Sequence, residues 1–196
     1  GNLPTAPALM GNAVVWKPAD YSAALGDALT RLFVAGGVPA GVLNTVHADG
    51  PTTFEGLSLA LEAGLVNKVG FTGSTEVGSQ IGALCGKHLQ TPCLELGGKN
   101  PLVVMPDADL DLAAEGALFS GFGTAGQRCT SLGVAIVHDD VYDAFLAKFV
   151  ALVEGAAIGD PTTDVVYGPM LSERFFTGFE EWLGEIQPHH TVHGST

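Results

Sequence analysis

Apolar positions along the first half of the chain follow two alternating spacings. Short apolar runs bounded by glycine and proline predict strands, and the longer segments between them place leucines three or four positions apart, as in a helix that buries one face. The predicted strands cover residues 13–16, 42–46, 66–72 and 93–96, and the predicted helices cover 21–35, 54–63 and 75–88. Because strands that alternate with helices pair in parallel, this half predicts a doubly wound α/β sheet with helices on both faces.

The strand and helix pattern restarts after Gly98. Strands are predicted over residues 102–105 and 132–138, and helices over 107–119, 141–152 and 172–186. A second α/β lobe is therefore expected, with the domains at residues 1–98 and 99–196.

Composition narrows the partners that this chain is expected to have. Its 196 residues are 46% hydrophobic, and 8 basic against 21 acidic side chains leave a formal net charge of −13, which repels nucleic acid and anionic lipid. No apolar run approaches the roughly 20 residues that span a bilayer. Three cysteines without Cys-x-x-Cys spacing suggest neither a disulfide framework nor a zinc site. We expect a cytoplasmic protein that binds neither nucleic acid nor membranes.

Two glycine-rich segments carry the candidate chemistry. Cys129 lies in residues 121–131, Gly-Phe-Gly-Thr-Ala-Gly-Gln-Arg-Cys-Thr-Ser, and Glu95 lies in residues 94–99, Leu-Glu-Leu-Gly-Gly-Lys, 34 positions earlier. A thiol nucleophile and a carboxylate general base are the two groups that covalent catalysis through a thioester needs. Cys85 and Cys93 are instead interpreted as small buried hydrophobic residues.

These segments, together with three others, resemble the aldehyde dehydrogenase superfamily. The others are Val-Val-Trp-Lys-Pro-Ala-Asp at 14–20, Phe-Thr-Gly-Ser-Thr-Glu-Val-Gly at 71–78, and Ile-Gly-Asp-Pro at 158–161 with Tyr-Gly-Pro-Met at 167–170. All five occur in the family's order. The resemblance implies an incomplete aldehyde dehydrogenase fold, with the distal part of a Rossmann-like NAD-binding domain followed by the first part of the catalytic domain, cut from a longer, homo-oligomeric parent.

The resemblance also implies roles for individual residues. Cys129 attacks an aldehyde to give a thiohemiacetal, which becomes a thioester by hydride transfer to the nicotinamide, and Glu95, in a buried setting, activates the water that releases a carboxylic acid. Six residues are implied to bind the cofactor: Trp16, Lys17, Asp20, Gly73, Ser74 and Leu96. The Asp20 carboxylate would bind ribose hydroxyls and repel a 2′-phosphate, which favours NAD, with NADP left as an alternative.

The family holds the transition-state oxyanion with the cysteine N–H and with an asparagine just upstream of the Lys-Pro strand. Asn2 is not assigned that role, because it lies 15 positions before Lys17 and its surroundings resemble sequence that follows the asparagine. The donor is therefore expected outside this sequence. Loss of one such donor lowers turnover by about 100- to 1,000-fold.

The resemblance leaves two groups of enzymes as alternatives, and both oxidise amino acid semialdehydes. The opening segment and residues 48–51 resemble pyrroline-5-carboxylate dehydrogenases, and residues 117–119 and 123–130 resemble aminoadipate semialdehyde dehydrogenases; Arg128 is a candidate for binding a substrate carboxylate. Two other functions are retained. One is transfer of the acyl group to coenzyme A, which Glu95 argues against, and the other is a non-catalytic fragment that binds nucleotide or a partner subunit.

No metal site is predicted. His189, His190 and His193 lie close to the end of the sequence without acidic or cysteine partners at ligand spacing. Asp107, Asp109 and Asp111 lack the glycine and glutamate of a calcium loop and are interpreted as residues that favour a helix N-terminus.

Overall fold

The computed structural model describes residues 2–193 and divides after Leu96 into two compact units. The first unit contains helices α1 (Asn2–Leu9), α2 (Ala23–Ala35), α3 (Gly50–Glu62) and α4 (Thr75–Lys87), and strands β1 (Val14–Trp16), β2 (Leu43–Thr45), β3 (Gly70–Gly73) and β4 (Cys93–Leu96). The second contains strands β5 (Asn100–Val104) and β6 (Leu132–Val137), and helices α5 (Leu110–Phe122), α6 (Asp139–Glu154) and α7 (Glu173–Leu183).

All the strand pairs are parallel, as the alternation of strands and helices predicted. In the first unit β1 pairs with β2 and β3 with β4, and in the second β5 pairs with β6. Within residues 2–193 each pair forms a separate two-stranded sheet. The predicted α/β class is confirmed, although the hydrogen bonds join the strands in pairs and not into one wide sheet.

Each unit has its own small core. In the first, Leu61, Ile81, Leu84 and Cys85 are buried where α3 and α4 meet, and Leu94 of β4 packs against them. In the second, α5 and α6 cover the β5–β6 pair. Its buried residues are Val104, Ala114, Ala117 and Phe145. Helices α3, α4 and α6 thus bury the apolar face that their periodicity indicated, whereas Leu25 and Leu32 of α2 and the aromatic residues of α7 are exposed.

Local hydrogen bonds moved some element boundaries from the predicted positions. The predicted strand 66–72 is paired only from Gly70, because the Val66 carbonyl accepts from the Gln90 side chain (2.6 Å) and not from a neighbouring strand. Helix α3 begins at Gly50, before the predicted residue 54, since the Asp49 carboxylate caps it by accepting from the Thr52 N–H (2.8 Å). Asp109 caps α5 in the same way, which agrees with the interpretation of that acidic segment.

Gly26 packs directly against a proline ring that precedes α2. A Cβ at this position would lie 2.4 Å from Cγ and 2.7 Å from Cβ of Pro18. Since the ring cannot move without the backbone, we expect Gly26→Ala to destabilise the first unit by about 1–2 kcal/mol, despite the better helix propensity of alanine. The free energy of unfolding in urea, followed by circular dichroism, measures this change.

Gly56 in α3 is the matched control, because a Cβ there would have no atom within 4 Å. Gly56→Ala is expected to raise the free energy of unfolding by up to about 1 kcal/mol. An equal gain in both variants would show that Pro18 does not restrict α2.

Candidate active site

Cys129 lies in a tight turn between α5 and β6. The turn closes with a hydrogen bond from the Ser131 N–H to the Arg128 carbonyl (3.1 Å), so Cys129 and Thr130 form its corner. The Cys129 side chain is exposed. Among residues 2–193 its N–H has no hydrogen-bond acceptor, although the carbonyl groups on either side of it are bonded. The turn therefore presents a thiol and a free N–H from the same residue.

A left-handed segment leads into this turn. Thr124, Ala125 and Gly126 have φ angles of 59°, 53° and 68°. Two of the three carry side chains, for which this conformation costs about 1–3 kcal/mol each, so other contacts must stabilise it. The Gln127 side chain supplies two: its Nε2 donates to the Thr124 carbonyl (3.1 Å) and its Oε1 accepts from the Leu171 N–H (2.9 Å).

Arg128 is turned back towards α5. Its Nη2 donates to the Phe119 carbonyl (3.1 Å), and the guanidinium lies over the Phe119 ring, 5.1 Å from its centroid. A Cβ on Gly123 would lie 3.1 Å from the same Nη2, which explains a glycine there. The structure thus gives Arg128 a bracing contact at the end of α5, and its role in binding a substrate carboxylate stays a prediction.

Asn100, which sequence reasoning overlooked, bridges the polypeptide on both sides of Thr130. Its Nδ2 donates to the Cys129 carbonyl (2.8 Å) and to the Ser131 carbonyl (2.9 Å). The strand pairing is irregular at this point: Asn100 pairs with Leu132 but Pro101 pairs with Val134, so Gly133 is an extra residue in β6. A side chain on Gly133 would collide with Lys99. The available sequence signal was Gly133, a glycine inside the predicted strand 132–138 that indicates a bulge, together with an asparagine at the start of β5.

Glu95 is exposed, and the expectation that it is buried is wrong for this chain. Strand alternation explains the result: Leu94 faces the core and Leu96 packs on Gly78, so Cys93 and Glu95 face the other way. The predicted burial of Cys93 is wrong for the same reason. Glu95 belongs to the first unit and Cys129 to the second.

The thiols of the two remaining cysteines differ in character. Cys85 is completely buried in α4, and burial raises the pKa of its thiol, which keeps it protonated and unreactive. Its predicted structural role agrees with this environment. Cys93 is exposed like Cys129 and therefore offers a matched control for experiments on thiol reactivity.

The β3–α4 turn carries two of the predicted cofactor residues, and a third, Leu96, lies beside it in β4. The register of β3 and β4 sets Gly73 beside Leu96, and Ser74 caps α4 by accepting from the Val77 N–H (3.3 Å). The N–H groups of Thr75 and Glu76 have no intrahelical acceptor, since they lie in the first turn. Gly73 also has a local reason to be glycine, because a Cβ there would lie 2.4 Å from Cζ of Phe71.

A cleft of about 430 Å³ lies at the carboxyl ends of β1 and β2. Its lining residues are Pro18, Asp20, Ala23, His47, Ala48 and Asp49. Lys17 follows Trp16, the last residue of β1, and forms an ion pair with Asp20. Hydrogen bonds from Thr52 hold the pKa of Asp49 below its ordinary value, and the nearby Lys17 ammonium acts in the same direction.

These groups fit a dinucleotide in their chemistry. Asp20 and Asp49 offer carboxylates that accept from ribose hydroxyls, and the start of α4 offers free N–H groups that attract a phosphate. Both features lie in the first unit, after the carboxyl ends of parallel strands, where ligands of open α/β sheets bind.

Residues 2–193 contain neither a membrane-spanning helix nor a cluster of metal ligands. None of the helices there has the length and apolar character that a membrane span requires. No group of three or more histidine, cysteine or acidic side chains is arranged to hold a metal ion; His189 and His190 contact each other edge to face.

Comparisons with known proteins agree with these features. A family model described as the aldehyde dehydrogenase family matches residues 3–193. The chain is 40% identical over 168 residues to salicylaldehyde dehydrogenase of Pseudomonas sp. (strain C18), covering 85% of this chain and 35% of the relative. It is 38% identical over 178 residues to 1-pyrroline-5-carboxylate dehydrogenase 1 of Halalkalibacterium halodurans, covering 87% and 34%.

A solved structure shows the same relation. The crystal structure of an E. coli NADP-dependent enzyme superposes with a TM-score of 0.84 at 38% identity, over 92% of this chain and 38% of that one. The chain therefore spans little more than a third of the proteins that it matches.

Proposed function

Because the chain belongs to the aldehyde dehydrogenase family, we propose that it contributes to NAD-dependent oxidation of an aldehyde to a carboxylic acid. The observation that carries this proposal is the turn at Cys129, which presents an exposed thiol beside its own unbonded N–H. In this proposal the first unit holds the cofactor, and the second unit supplies the nucleophile.

Cys129 begins the proposed reaction. Its thiolate attacks the aldehyde carbon, and the carbonyl oxygen develops negative charge as the thiohemiacetal forms. The free Cys129 N–H would donate to that oxygen, as oxyanion-stabilising groups do in acyl transfer. An exposed position gives the substrate direct access to the sulfur.

The cofactor would be held by groups of the first unit. Lys17 and Asp20 with Trp16 would hold the adenosine ribose, and Gly73 and Ser74 the phosphates; Leu96 lies beside this turn. When bound, the cofactor would supply the hydride acceptor, and loss of that hydride from the thiohemiacetal carbon would leave a thioester on Cys129. Asp20 favours NAD, because its carboxylate repels the 2′-phosphate of NADP.

Glu95 is the proposed general base for release of the product. It would take a proton from the water that attacks the thioester, giving a carboxylic acid and regenerating the thiol. A hydrolytic base is what distinguishes this outcome from transfer of the acyl group to coenzyme A. The exposed setting of Glu95 leaves its carboxylate accessible to water.

The substrate class is proposed from the relatives. An amino acid semialdehyde agrees with the resemblance to the pyrroline-5-carboxylate group and with the matched enzyme of Halalkalibacterium halodurans. The relative from Pseudomonas is named for an aromatic aldehyde, salicylaldehyde. Because Arg128 braces α5, it does not decide between a substrate that carries a carboxylate and one that does not. The test therefore includes both classes of aldehyde.

The test incubates the purified chain with NAD and a panel containing salicylaldehyde, succinate semialdehyde, glutamate semialdehyde and aminoadipate semialdehyde. Absorbance of reduced nicotinamide gives the rate, and mass spectrometry identifies the product with and without coenzyme A. Reduction with a free carboxylic acid supports the proposal. An acyl-coenzyme A product would favour the acylating alternative, and nucleotide binding without reduction would favour the non-catalytic fragment.

Cofactor choice gives a separate prediction. We expect Asp20→Ala to raise the affinity for NADP relative to NAD by about tenfold, because it removes both the repulsion of the 2′-phosphate and a charged hydrogen-bond acceptor for the ribose. Titration of each reduced cofactor by its fluorescence gives the two dissociation constants. Asp27→Ala is the control: Asp27 pairs with Arg31 on α2, outside the cleft lining, and its loss should leave the ratio unchanged.

A further inference from the structure

We propose that Asn100 is a positioning residue for the reactive turn, an inference that rests on the proposed role of Cys129. Among the described residues, its Nδ2 is the one side-chain group that hydrogen-bonds to the main chain of Cys129, and it also donates to the Ser131 carbonyl. The two distances, 2.8 and 2.9 Å, are those of well-formed hydrogen bonds. Asn100 thereby joins the start of β5 to the turn that precedes β6.

The peptide group before Cys129 is oriented by the turn itself. Its carbonyl, from Arg128, accepts from the Ser131 N–H (3.1 Å). In a planar trans peptide the N–H points opposite to the carbonyl, so the Cys129 N–H is directed away from the turn. This arrangement explains why that N–H is free to meet a ligand.

The peptide group after Cys129 is oriented by Asn100. Its carbonyl, from Cys129, accepts from Nδ2, which fixes the second backbone angle of Cys129. With both flanking peptides held, the directions of the N–H and of the Cα–Cβ bond are set together. The second hydrogen bond, to Ser131, keeps the turn closed. Asn100 thus holds the thiol and the N–H in one fixed relation.

The strand bulge makes this reach possible. The register changes between Asn100 and Pro101, and the extra residue Gly133 lies against the Lys99 backbone. The bulge brings the first residue of β5 level with the end of the turn, where a short carboxamide spans two carbonyl groups. Bulges commonly aim side chains in this way next to functional residues.

Two reactions of the Cys129 thiol distinguish a correctly positioned thiol and N–H from a thiol that is merely exposed. Acylation by 4-nitrophenyl acetate forms the bond from Sγ to the acetyl carbon, passes through an oxyanion and expels 4-nitrophenolate. Alkylation by iodoacetamide forms the bond from Sγ to carbon as iodide leaves, and no oxyanion develops. Both consume the Cys129 thiolate, so the ratio of the two rates cancels changes in thiolate content and access.

The experiment uses the full chain with Cys93→Ser, so that Cys129 is the exposed thiol, and mass spectrometry of the labelled peptide confirms the site. We expect Asn100→Leu to slow acylation at least about tenfold while alkylation changes by less than about twofold. Asn100→Asp, which keeps the shape of the side chain but lacks the N–H donors, should lower the ratio as well. Asn100→Asp serves as the second variant if circular dichroism shows that Asn100→Leu disturbs folding.

Asn44→Leu is the matched control. Asn44 also bridges two backbone carbonyls, those of Gly41 (2.9 Å) and Val14 (3.3 Å), but in the first unit. It should leave the ratio unchanged at a similar loss of thermal stability. If Asn100→Leu lowers both rates equally, or neither, the positioning role is wrong. The positioning role is also wrong if iodoacetamide modifies Cys129 in the parent chain but 4-nitrophenyl acetate does not.

The Cys129→Ala variant distinguishes this failure from that of the proposed function. Acylation that persists in Cys129→Ala would contradict the role of Cys129 as the nucleophile. Acylation that requires Cys129 but keeps its ratio to alkylation in Asn100→Leu would contradict only the role of Asn100.

Discussion

Cys129→Ala is expected to abolish aldehyde-dependent reduction of NAD, by at least about 1,000-fold relative to the parent chain. Cys129 carries the one thiol in the turn, since its neighbours Thr130 and Ser131 offer only hydroxyls, and loss of a nucleophile in covalent catalysis removes several kcal/mol of transition-state stabilisation. The rate of absorbance change from reduced nicotinamide, at saturating aldehyde and NAD, provides the measurement. Folding is expected to be unaffected, since the side chain is exposed.

Cys93→Ala provides the control for this result. Cys93 is also an exposed free thiol, at the start of β4, and no role in the reaction is proposed for it. Its replacement should leave the rate within about twofold of the parent, as exposed substitutions away from a site usually do. Equal loss in the two variants would point to general thiol chemistry, and an active Cys129→Ala would contradict the mechanism.

Glu95→Gln is expected to separate the two halves of the reaction. Without the carboxylate the thioester forms but is not hydrolysed, so each chain should reduce about one equivalent of NAD and then stop. Steady-state turnover should fall by about 100- to 10,000-fold, the usual contribution of a positioned general base. Stopped-flow absorbance gives the first turnover, and intact-mass spectrometry detects the acyl group on Cys129.

Addition of hydroxylamine sharpens this prediction. Hydroxylamine consumes free aldehyde as the oxime, so it is added after the first turnover and removal of the aldehyde; it should then attack the thioester of Glu95→Gln without a general base, giving a hydroxamic acid and the free thiol. Glu62→Gln is the control, because Glu62 is exposed at the end of α3 and the proposed reaction does not use it. A slow first turnover in Glu95→Gln would instead place Glu95 before thioester formation, and unchanged turnover would exclude it as the base.

Periodicity identified every strand and the helices α2 to α7, but not α1, because burial of one face is a local property of the sequence. It located β4 to the residue, since an apolar alternation there is bounded by Pro92 and Gly97. It missed the first turn of α3, where the Asp49 cap and Pro51 start the helix before the apolar stripe begins. It also extended β3 too far towards Val66, whose carbonyl bonds to Gln90.

The candidate site was predictable only in part. The types and spacing of Cys129 and Glu95 indicated the chemistry, and the resemblance indicated the family, which the family model confirms over residues 3–193. The burial of Glu95 was mispredicted, because two apolar neighbours in a strand face the side opposite to the residue between them. The partner of Arg128 was unpredictable, because the Phe119 carbonyl also accepts from the Gly123 N–H and meets the guanidinium only once residues 123–128 fold back on α5.

The sequence by itself determined the parallel α/β class, the order of the elements and the choice of Cys129 and Glu95 as the proposed reactive side chains, because these depend on residue type and on near-neighbour spacing. Only the tertiary structure decided how the reactive turn is held. The two hydrogen bonds of Asn100 and the bulge at Gly133 join segments about 30 positions apart, and the left-handed residues 124–126 lead the chain into the turn. Such contacts depend on backbone geometry at both ends, and that geometry exists only once β5 and β6 are paired.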